Sequence, residues 1–329
     1  MDFRISSLRI LAQTLVVGAI VIGLGCARSQ TYEAERNYYE DYPHTYYGRQ
    51  DPGDNASEKI ASIAQPKKRI VVFDFWNATP LKSDELGPFG ADELRRELYV
   101  SGRVIIPTEH KLVFTTENFL DGESIKVEQL VREGRRLGVA VVIIGRITRT
   151  VFRSEGSDIG VFSKKQSIAA ADVEIKVFDV ASGREIMAVQ ESGQAAGDAL
   201  PLIDEEDFKS KQHRVEIVKM AVRDATAKLV KPVVVAMQKM SWQGRVAKVT
   251  GKKIYVNAGR ASGLVAGDIL KVMTPGTDIF DPASGAFLGR TKGQLKGTLE
   301  VVDFVGPDGA QTQVHTGGNI DEGDVVQLY

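Results

Sequence analysis

An apolar run near the start of the chain, Ile10 to Leu24, most limits what the first residues can form. Arg4 and Arg9 precede this run, and a glycine and Cys26 follow it. A basic start, a short apolar stretch and a small residue at its end are typical of a bacterial secretory signal. A membrane-spanning helix needs about 20 apolar residues, so this run is short for one. The pattern predicts a signal peptide at residues 1–25 and an exported mature protein.

Cys26 is the only cysteine among the 329 residues, so it cannot form an internal disulfide. The segment Ile22-Gly-Leu-Gly-Cys26 resembles a lipoprotein signal, in which the cysteine becomes the lipid-modified first residue of the mature chain. Ala27 follows it rather than aspartate, which in lipoproteins favours the outer membrane over the inner one. The resemblance implies lipidation of Cys26 and a position on the periplasmic face of the outer membrane. The alternative is an ordinary cleaved signal with an incidental cysteine.

The charge balance argues against a nucleic-acid partner. Lys and Arg together number 42 and Asp and Glu 43, so the chain has no basic excess to attract a polyanion. A hydrophobic content of 43% indicates a globular protein with a core. The roughly 300 residues left after the signal are enough for two ordinary domains.

Residues 26–66 have the composition of a lipid-anchored flexible tether. The stretch from Glu33 to Asn55 is polar and has almost no aliphatic residues, so it cannot bury a core. Six of the nine tyrosines of the chain fall between Tyr32 and Tyr47. Two interpretations stay open, a disordered spacer and a segment that docks on a partner, because tyrosine offers a large contact area with few torsions to restrict.

Residues 67–240 show the pattern of an α+β domain. The apolar runs Ile70–Phe75 and Val139–Ile144 predict buried strands, and Asp179–Gly183 predicts a hairpin turn between two further strands. Apolar residues at helical spacing predict three helices: Ala91, Leu94 and Leu98; Val127, Leu130 and Val131; and Phe208, Val215, Val218, Val222, Ala225 and Leu229.

Two expectations concern these helices. Pro232 is expected to kink or end the third helix, whose apolar stripe is expected to exceed what one sheet covers. Arg132, Arg135 and Arg136 lie off the stripe of the second helix, so a solvated face is expected for them.

Residues 241–329 predict a small all-β barrel-like domain. Helical periodicity disappears after Trp242, glycines become frequent, and short strands recur between turn signals. The expected strands are Arg245–Val249, Lys253–Asn257, Ile269–Met273, Thr298–Phe304, Gln311–His315 and Val325–Leu328. Gly267-Asp268 and Gly323-Asp324 each precede a strand, and we expect both glycines to adopt positive φ.

Four stretches of the α+β domain carry a family resemblance through their order and spacing. They are Ile70–Phe75 with Asn77, Leu94–Leu98 leading to Ser101–Val104, Leu137–Ala140 before Val142–Gly145, and Val177–Gly183. In this order the domain resembles the family of the curli-secretion lipoprotein and the N-terminal domain of the periplasmic Tol-system protein TolB. The resemblance implies a mixed sheet with packed helices.

The barrel region carries a second set of stretches: Gly244–Val246, Tyr255-x-Asn257-x-Gly259, Gly263–Asp268, Asp281–Gly289 and Gly323–Val326. With them it resembles the C-terminal domain of flagellar assembly protein T. Both families build ring assemblies, so the two resemblances imply a homo-oligomeric ring and, as a partner, an envelope machine such as the flagellar basal body.

No catalytic, cofactor-binding or metal-binding constellation is found in the sequence. His44, His110, His213 and His315 are scattered and have no cysteine partners, so the spacing of metal ligands is absent. The glycines at 259, 263 and 267 lack the Lys-Ser/Thr of a phosphate loop. The sequence therefore predicts a protein that is not an enzyme.

Two function classes follow. The first is a non-catalytic scaffold subunit in envelope machinery, most specifically in flagellar basal-body ring assembly. The alternative is a curli-type secretion channel, with the excursion Thr148 to Ser167 as its membrane hairpin. Membrane strands need an apolar residue at every second position, and neither limb of this excursion has such a face. Recognition of peptidoglycan by the barrel is a third interpretation, compatible with the scaffold.

Overall fold

The computed structural model describes residues 65–107, 114–122, 124–159, 162–198 and 211–329. These residues belong to one compact unit, Ser62–Tyr329. The predicted signal peptide, Cys26 and nearly all of the tether lie outside the described residues, as do His44, His110 and Phe208.

A mixed six-stranded sheet occupies the first half of the described chain. Its main strands are β1 (Lys68–Val72), β3 (Val104–Ile105), β6 (Val141–Ile159), β7 (Phe162–Asp179) and β8 (Glu185–Asp198), and a short β2 (Trp76–Asn77) pairs with β6. The spatial order is β3-β1-β6-β7-β8. β1 is parallel to both of its neighbours, whereas β6, β7 and β8 form two antiparallel hairpins. A small hairpin of β4 (Leu120–Asp121) and β5 (Ser124–Ile125) follows a 3₁₀ helix at Thr116–Phe119.

Three helices, α1 (Leu86–Val100), α2 (Val127–Arg136) and α3 (Lys211–Gln238), cover the two faces of this sheet. Successive residues of a strand point to opposite faces, so Ile70 and Val72 enter a large core with α1 and α3. Val71 and Phe73 enter a smaller core with α2. The predicted α+β fold with helices packed on a mixed sheet is confirmed.

α3 continues beyond Pro232 and ends at Gln238, so of the two expected effects of the proline, a kink or an end of the helix, the end is wrong. Proline removes one backbone hydrogen bond and crowds the preceding turn. Val233 and Met237, which follow the proline, are buried in the large core. Burial of these side chains stabilises the last turns in spite of the proline. The apolar stripe of α3 is covered by β7, β8 and α1 together.

The hairpin of β6 and β7 is much longer than the apolar pattern indicated. Its strands have 19 and 18 residues and stay paired from Val141 opposite Asp179 to Ile159 opposite Phe162. The excursion Thr148 to Ser167 is therefore the outer part of one continuous hairpin. Past the middle of β6, Phe152 packs against the large core, and Ala169, which pairs with it in β7, is fully buried within that core.

A closed six-stranded barrel forms the second half of the described chain. Its strands are β9 (Gly244–Thr250), β10 (Lys253–Val256), β11 (Ile269–Met273), β14 (Leu295–Val305), β15 (Gly309–Gly317) and β16 (Val325–Leu328). All six predicted strands are confirmed. Gly267 and Gly323 have φ of +93° and +91°, as expected, and the strands that follow them, β11 and β16, pair with each other.

One hairpin of this domain was not predicted. β12 (Asp278–Phe280) and β13 (Phe287–Arg290) form a separate two-stranded sheet between β11 and β14. The turn between them, Asp281 to Gly285, is one of the stretches that resembled the flagellar protein. This hairpin brings charged residues to the α+β domain, where the candidate site lies.

Candidate functional site

The joint between the α+β domain and the barrel contains an ion pair that the sequence pattern did not reveal. Arg135 of α2 donates hydrogen bonds from Nη1 and Nη2 to the two carboxylate oxygens of Asp278 in β12, each at 2.9 Å. Only 19% of the Arg135 side chain and 26% of the Asp278 side chain are exposed. This two-pronged geometry fixes orientation as well as distance.

The expectation of a solvated face for three arginines is therefore wrong for one of them. Arg132 and Arg136 are exposed and pair with Glu128 and Glu133 of their own helix. Arg135 instead reaches a partner 143 positions away in sequence. Helical spacing could place Arg135 off the apolar stripe, but no local signal points to Asp278.

A second polar contact joins β1 to the barrel. Arg69 Nη1 lies 3.2 Å from Asp308 Oδ2. The Asp308 carboxylate also accepts hydrogen bonds from the backbone N–H groups of Gly259 and Ser262 and from the Ser262 hydroxyl. Next to it, the backbone N–H of Lys67 donates to the carbonyl of Ser262 at 2.7 Å. The start of the sheet is thus bound directly to a turn of the barrel.

Asn257 forms the third contact of the joint. Its Nδ2 donates to the carbonyl of Gly138 at 3.3 Å, and its Oδ1 accepts from the backbone N–H of Arg245 at 2.6 Å. One side chain therefore connects the end of α2 with the first barrel strand. The β7–β8 turn also meets the barrel: Gly183, with φ of +71°, is so close to the Phe287 ring that a Cβ there would lie 2.2 Å from it.

Beside the joint is a cleft of about 820 Å³ between the β7–β8 turn, residues 241 and 243, and the barrel. Five basic residues line this cleft: Arg184, Arg245, Lys271, Arg290 and Lys292. Asp179 is the one carboxylate among the described lining residues. It already accepts hydrogen bonds from the backbone N–H groups of Ala181 and Ser182 and from the Ser182 hydroxyl. The lining is therefore strongly basic, although the whole chain is balanced in charge.

Arg245 lies at the centre of this positive charge. Burial and then the guanidinium groups of Arg290 and Arg135 lower the pKa of Arg245. Burial and Arg135 likewise lower the pKa of Arg290, while Asp278 opposes that shift. Arg290 Nε lies 3.4 Å from Asp278 and also donates to the carbonyl of Gly276. Asp278 is thus shared by two guanidinium groups, and its single negative charge leaves one positive charge of this pair unbalanced.

The Arg245 guanidinium differs from its two neighbours. Among the residues that the structure describes, it has neither an ion pair nor a hydrogen-bond acceptor. Arg135 Nε, nearby, is buried and also has no acceptor within the described ranges. Within the described ranges, the Arg245 guanidinium and the buried Nε of Arg135 therefore have N–H donors that no protein acceptor satisfies.

The two histidines within the described ranges do not come together. His213 Nε2 lies 3.1 Å from the hydroxyl of the buried Ser167, and its ring packs edge-on against Phe152. His315 is on β15 of the barrel, far in sequence from His213 and Ser167.

Within the described ranges, no group of three or more His, Cys, Asp or Glu side chains could hold a metal ion. None of the described helices is both long and apolar enough to cross a membrane. The absence of enzymatic activity stays a prediction.

Searches of protein-family models and of curated proteins found no match to this chain. Among solved structures, the hypothetical protein CT253 from Chlamydia trachomatis matches with 14% identity over 53% of this chain and all of that one, with a TM-score of 0.35. Lipoprotein GNA1162 from Neisseria meningitidis matches with 12% identity over 53% of this chain and 99% of its own length, with a TM-score of 0.25. The PelC dodecamer from Paraburkholderia phytofirmans matches with 12% identity, 50% and 88% coverage, and a TM-score of 0.25. At these scores the likeness carries no conclusion about what this chain does.

Proposed function

We propose that this chain is a lipid-anchored periplasmic scaffold of the bacterial envelope, held at the outer membrane by acylation of Cys26. The observation that carries the proposal is the short apolar run that ends at the only cysteine of the chain. A lone acyl chain binds membranes only marginally, and stable anchoring needs a second signal. The multiple acyl chains of a lipoprotein anchor meet this requirement.

The joint supports a scaffolding role. A scaffold must hold its partners at a fixed geometry, and three polar contacts, through Arg135, Arg69 and Asn257, connect the sheet to the barrel. Asn257 also belongs to the stretches that resemble flagellar assembly protein T. In its most specific form, the proposal is a ring-forming subunit of the flagellar basal body, with peptidoglycan as a further candidate partner of the barrel.

A ring requires a surface for self-association, and two surfaces are poor candidates for it. The apolar stripe of α3 is covered by the strands and α1 of its own chain, so it offers no apolar surface for self-association. The outer edge of β8 is partly occupied, because Asp224 accepts from the backbone N–H of Gln194 and Lys228 donates to the carbonyl of Ser192. Such capping discourages pairing with another strand. We therefore expect ring contacts through other surfaces.

The alternative function, a curli-type secretion channel, is favoured by one observation. The β6–β7 strands have 19 and 18 residues, whereas about 9–11 are enough to cross a membrane. Against this alternative, the hairpin is packed on the large core as far out as the paired residues Phe152 and Ala169, which lie past the middle of its strands. Conductance separates the two functions: a scaffold leaves planar lipid bilayers electrically silent, and reproducible channels from the purified lipidated protein would favour the secretion channel.

The anchor itself is tested by substitution of Cys26. Radiolabelled palmitate should be incorporated into the wild-type protein but not into Cys26→Ala, which should also leave the membrane fraction. Ala27→Asp is the matched control, since it should keep the lipid while moving the protein towards the inner membrane. Label and membrane association that persist in Cys26→Ala would refute the lipoprotein proposal.

A further inference from the structure

The positive charge at the cleft exceeds what the carboxylates of the described residues balance. Three guanidinium groups, those of Arg135, Arg245 and Arg290, lie close enough to influence one another, and Asp278 is the carboxylate that faces them. Taking a cation out of water without a partner is costly, and repulsion between like charges adds to the cost. Such an arrangement lowers the stability of the fold. A bound anion would offset this loss by pairing with the unbalanced positive charge.

The chemistry of Arg245 indicates what kind of anion fits. A guanidinium presents a planar fork of N–H donors that matches the two oxygens of a carboxylate or phosphate. Arg245 is half-buried at the base of the cleft, where Asn257 fixes its backbone N–H. The backbone of Arg245 is therefore held by the joint, while its guanidinium donors have no acceptor among the described residues.

The rest of the cleft suits a ligand that is more than a bare ion. A volume of about 820 Å³ falls within the range of small-molecule sites, which often lie between domains. Ile279 and Leu288, which line the cleft, are 43% and 60% exposed. Exposed Arg184 and Lys292 add positive charge at the rim. An acidic group would bind at the base, and apolar parts would contact the β12–β13 hairpin.

We propose that this cleft binds a small organic ligand through a carboxylate or phosphate group, and that Arg245 is the residue that holds the oxyanion. This activity goes beyond the scaffold role and does not depend on lipidation. Arg184 of the β7–β8 turn and Arg245 of the barrel both line the cleft, so a bound ligand would contact both sides of the joint and stabilise its single orientation.

Calorimetric titration of the full-length protein in detergent, at constant ionic strength, tests this proposal. Pyrophosphate and citrate serve as probes that separate a phosphate source from a carboxylate source. Arg245→Gln should weaken binding by about tenfold to a hundredfold, the usual effect of losing charge-assisted hydrogen bonds. Arg132→Gln, which removes the same charge from an exposed face of α2, should bind like the wild type.

Thermal unfolding distinguishes a ligand-binding role from a structural one. Without ligand, Arg245→Gln should be as stable as the wild type or more stable, because repulsion is relieved. At one probe concentration, the wild type should gain more melting temperature than Arg245→Gln, by mass action. Arg245→Lys keeps the charge but loses the fork, so it should fold and bind several-fold more weakly. The proposal is overturned if neither probe binds the wild type, if both Arg245 variants bind like the wild type, or if Arg132→Gln loses binding equally.

Discussion

Glycine is required for different reasons in the sheet domain and in the barrel. At Gly193 in β8, a Cβ atom would lie 2.0 Å from the carbonyl oxygen of Ala221 in α3. At Gly267, in the turn before β11, no atom lies within 4 Å of such a Cβ, but φ is +93°. At Gly193 a side chain is excluded by the close approach of a helix, whereas at Gly267 it is disfavoured only by the backbone conformation.

This difference reflects how each domain is built. The sheet domain brings a long helix against its strands, so side-chain volume decides which residues fit. The barrel turns sharply between short strands, so its turns demand φ values that few residues adopt. Between the two domains, charged side chains replace apolar packing. Four substitutions test these distinctions, and they follow from the largest expected effect to the smallest.

Gly193→Ala should have the largest effect, because the added methyl group meets backbone atoms of Ala221 and Ala225, which cannot rotate away. Overpacking of this kind costs about 3 kcal/mol or more in the free energy of unfolding. Urea unfolding followed by circular dichroism measures the loss. Gly318→Ala is the control, since nothing lies within 4 Å of its Cβ position and its φ is not in the left-handed region. Equal losses in the two variants would contradict a packing limit at Gly193.

Arg135→Met tests the charged joint. The substitution leaves the half-buried Asp278 with only the longer contact to Arg290 at 3.4 Å, and losing a charge-assisted hydrogen bond costs about 2 kcal/mol. The free energy of unfolding should fall by that amount, and the barrel and sheet transitions should separate. Arg132→Met, whose partner Glu128 is on the same exposed helix face, should change stability by less than about 0.5 kcal/mol. If the joint contributed nothing to stability, Arg135→Met and Arg132→Met would have the same free energy of unfolding, which would contradict this account.

Gly267→Ala tests the turn before β11. With open space around the position, the cost comes only from a side chain at positive φ and should be about 1 kcal/mol. Gly267→Val should cost more, because a β-branched residue is a stronger outlier there. Calorimetric melting temperatures should fall in the order wild type, alanine, valine. A valine variant that melts with the wild type would show that the turn tolerates any residue.

Substitution of Asp172 should have the smallest effect, a change in how strongly the stability of the protein depends on pH in acid. A hydrogen bond from Arg149 Nε at 2.6 Å is the main cause of the lowered pKa of this carboxyl, and the Ser192 hydroxyl adds to it. The unfolded pKa is about 3.9, so the stabilisation is complete above about pH 4 and is lost as pH falls through the lower folded pKa. Asp172→Asn should lose less melting temperature than the wild type between about pH 7 and about pH 3. The same acid sensitivity in both proteins would contradict this assignment.

Much of the fold follows from periodicity and turn chemistry in the sequence. Leu94, Leu98, Leu130 and Leu229 occupy buried helix positions, because helical spacing and burial report the same property. The six barrel strands and the positive φ of Gly267 and Gly323 follow from short apolar runs bounded by glycines. These features are local, so one sequence contains enough information to find them.

The candidate site could not be predicted in this way. Arg135 and Asp278 are paired over a long sequence separation. The guanidinium of Arg245 is seen to have no acceptor only once α2, β9 and β13 are brought together in the fold. The outer β6–β7 hairpin was underestimated because its backbone pairing persists where the apolar pattern ends. Pro232 suggested the end of a helix whose last turns are instead held by burial of Val233 and Met237. In each case tertiary contacts override the local pattern.

A scaffold of fixed geometry requires the sheet and the barrel to keep one relative orientation. Spin labels at two exposed positions, Val100 at the end of α1 and Val305 at the end of β14, report this orientation by double electron–electron resonance. The Cys26→Ala background in detergent keeps the labels specific, because no other cysteine is present. We expect one narrow distance distribution, broadened by Arg135→Met but not by Arg132→Met. A broad distribution in the parent protein would contradict the rigid joint and, with it, the scaffold.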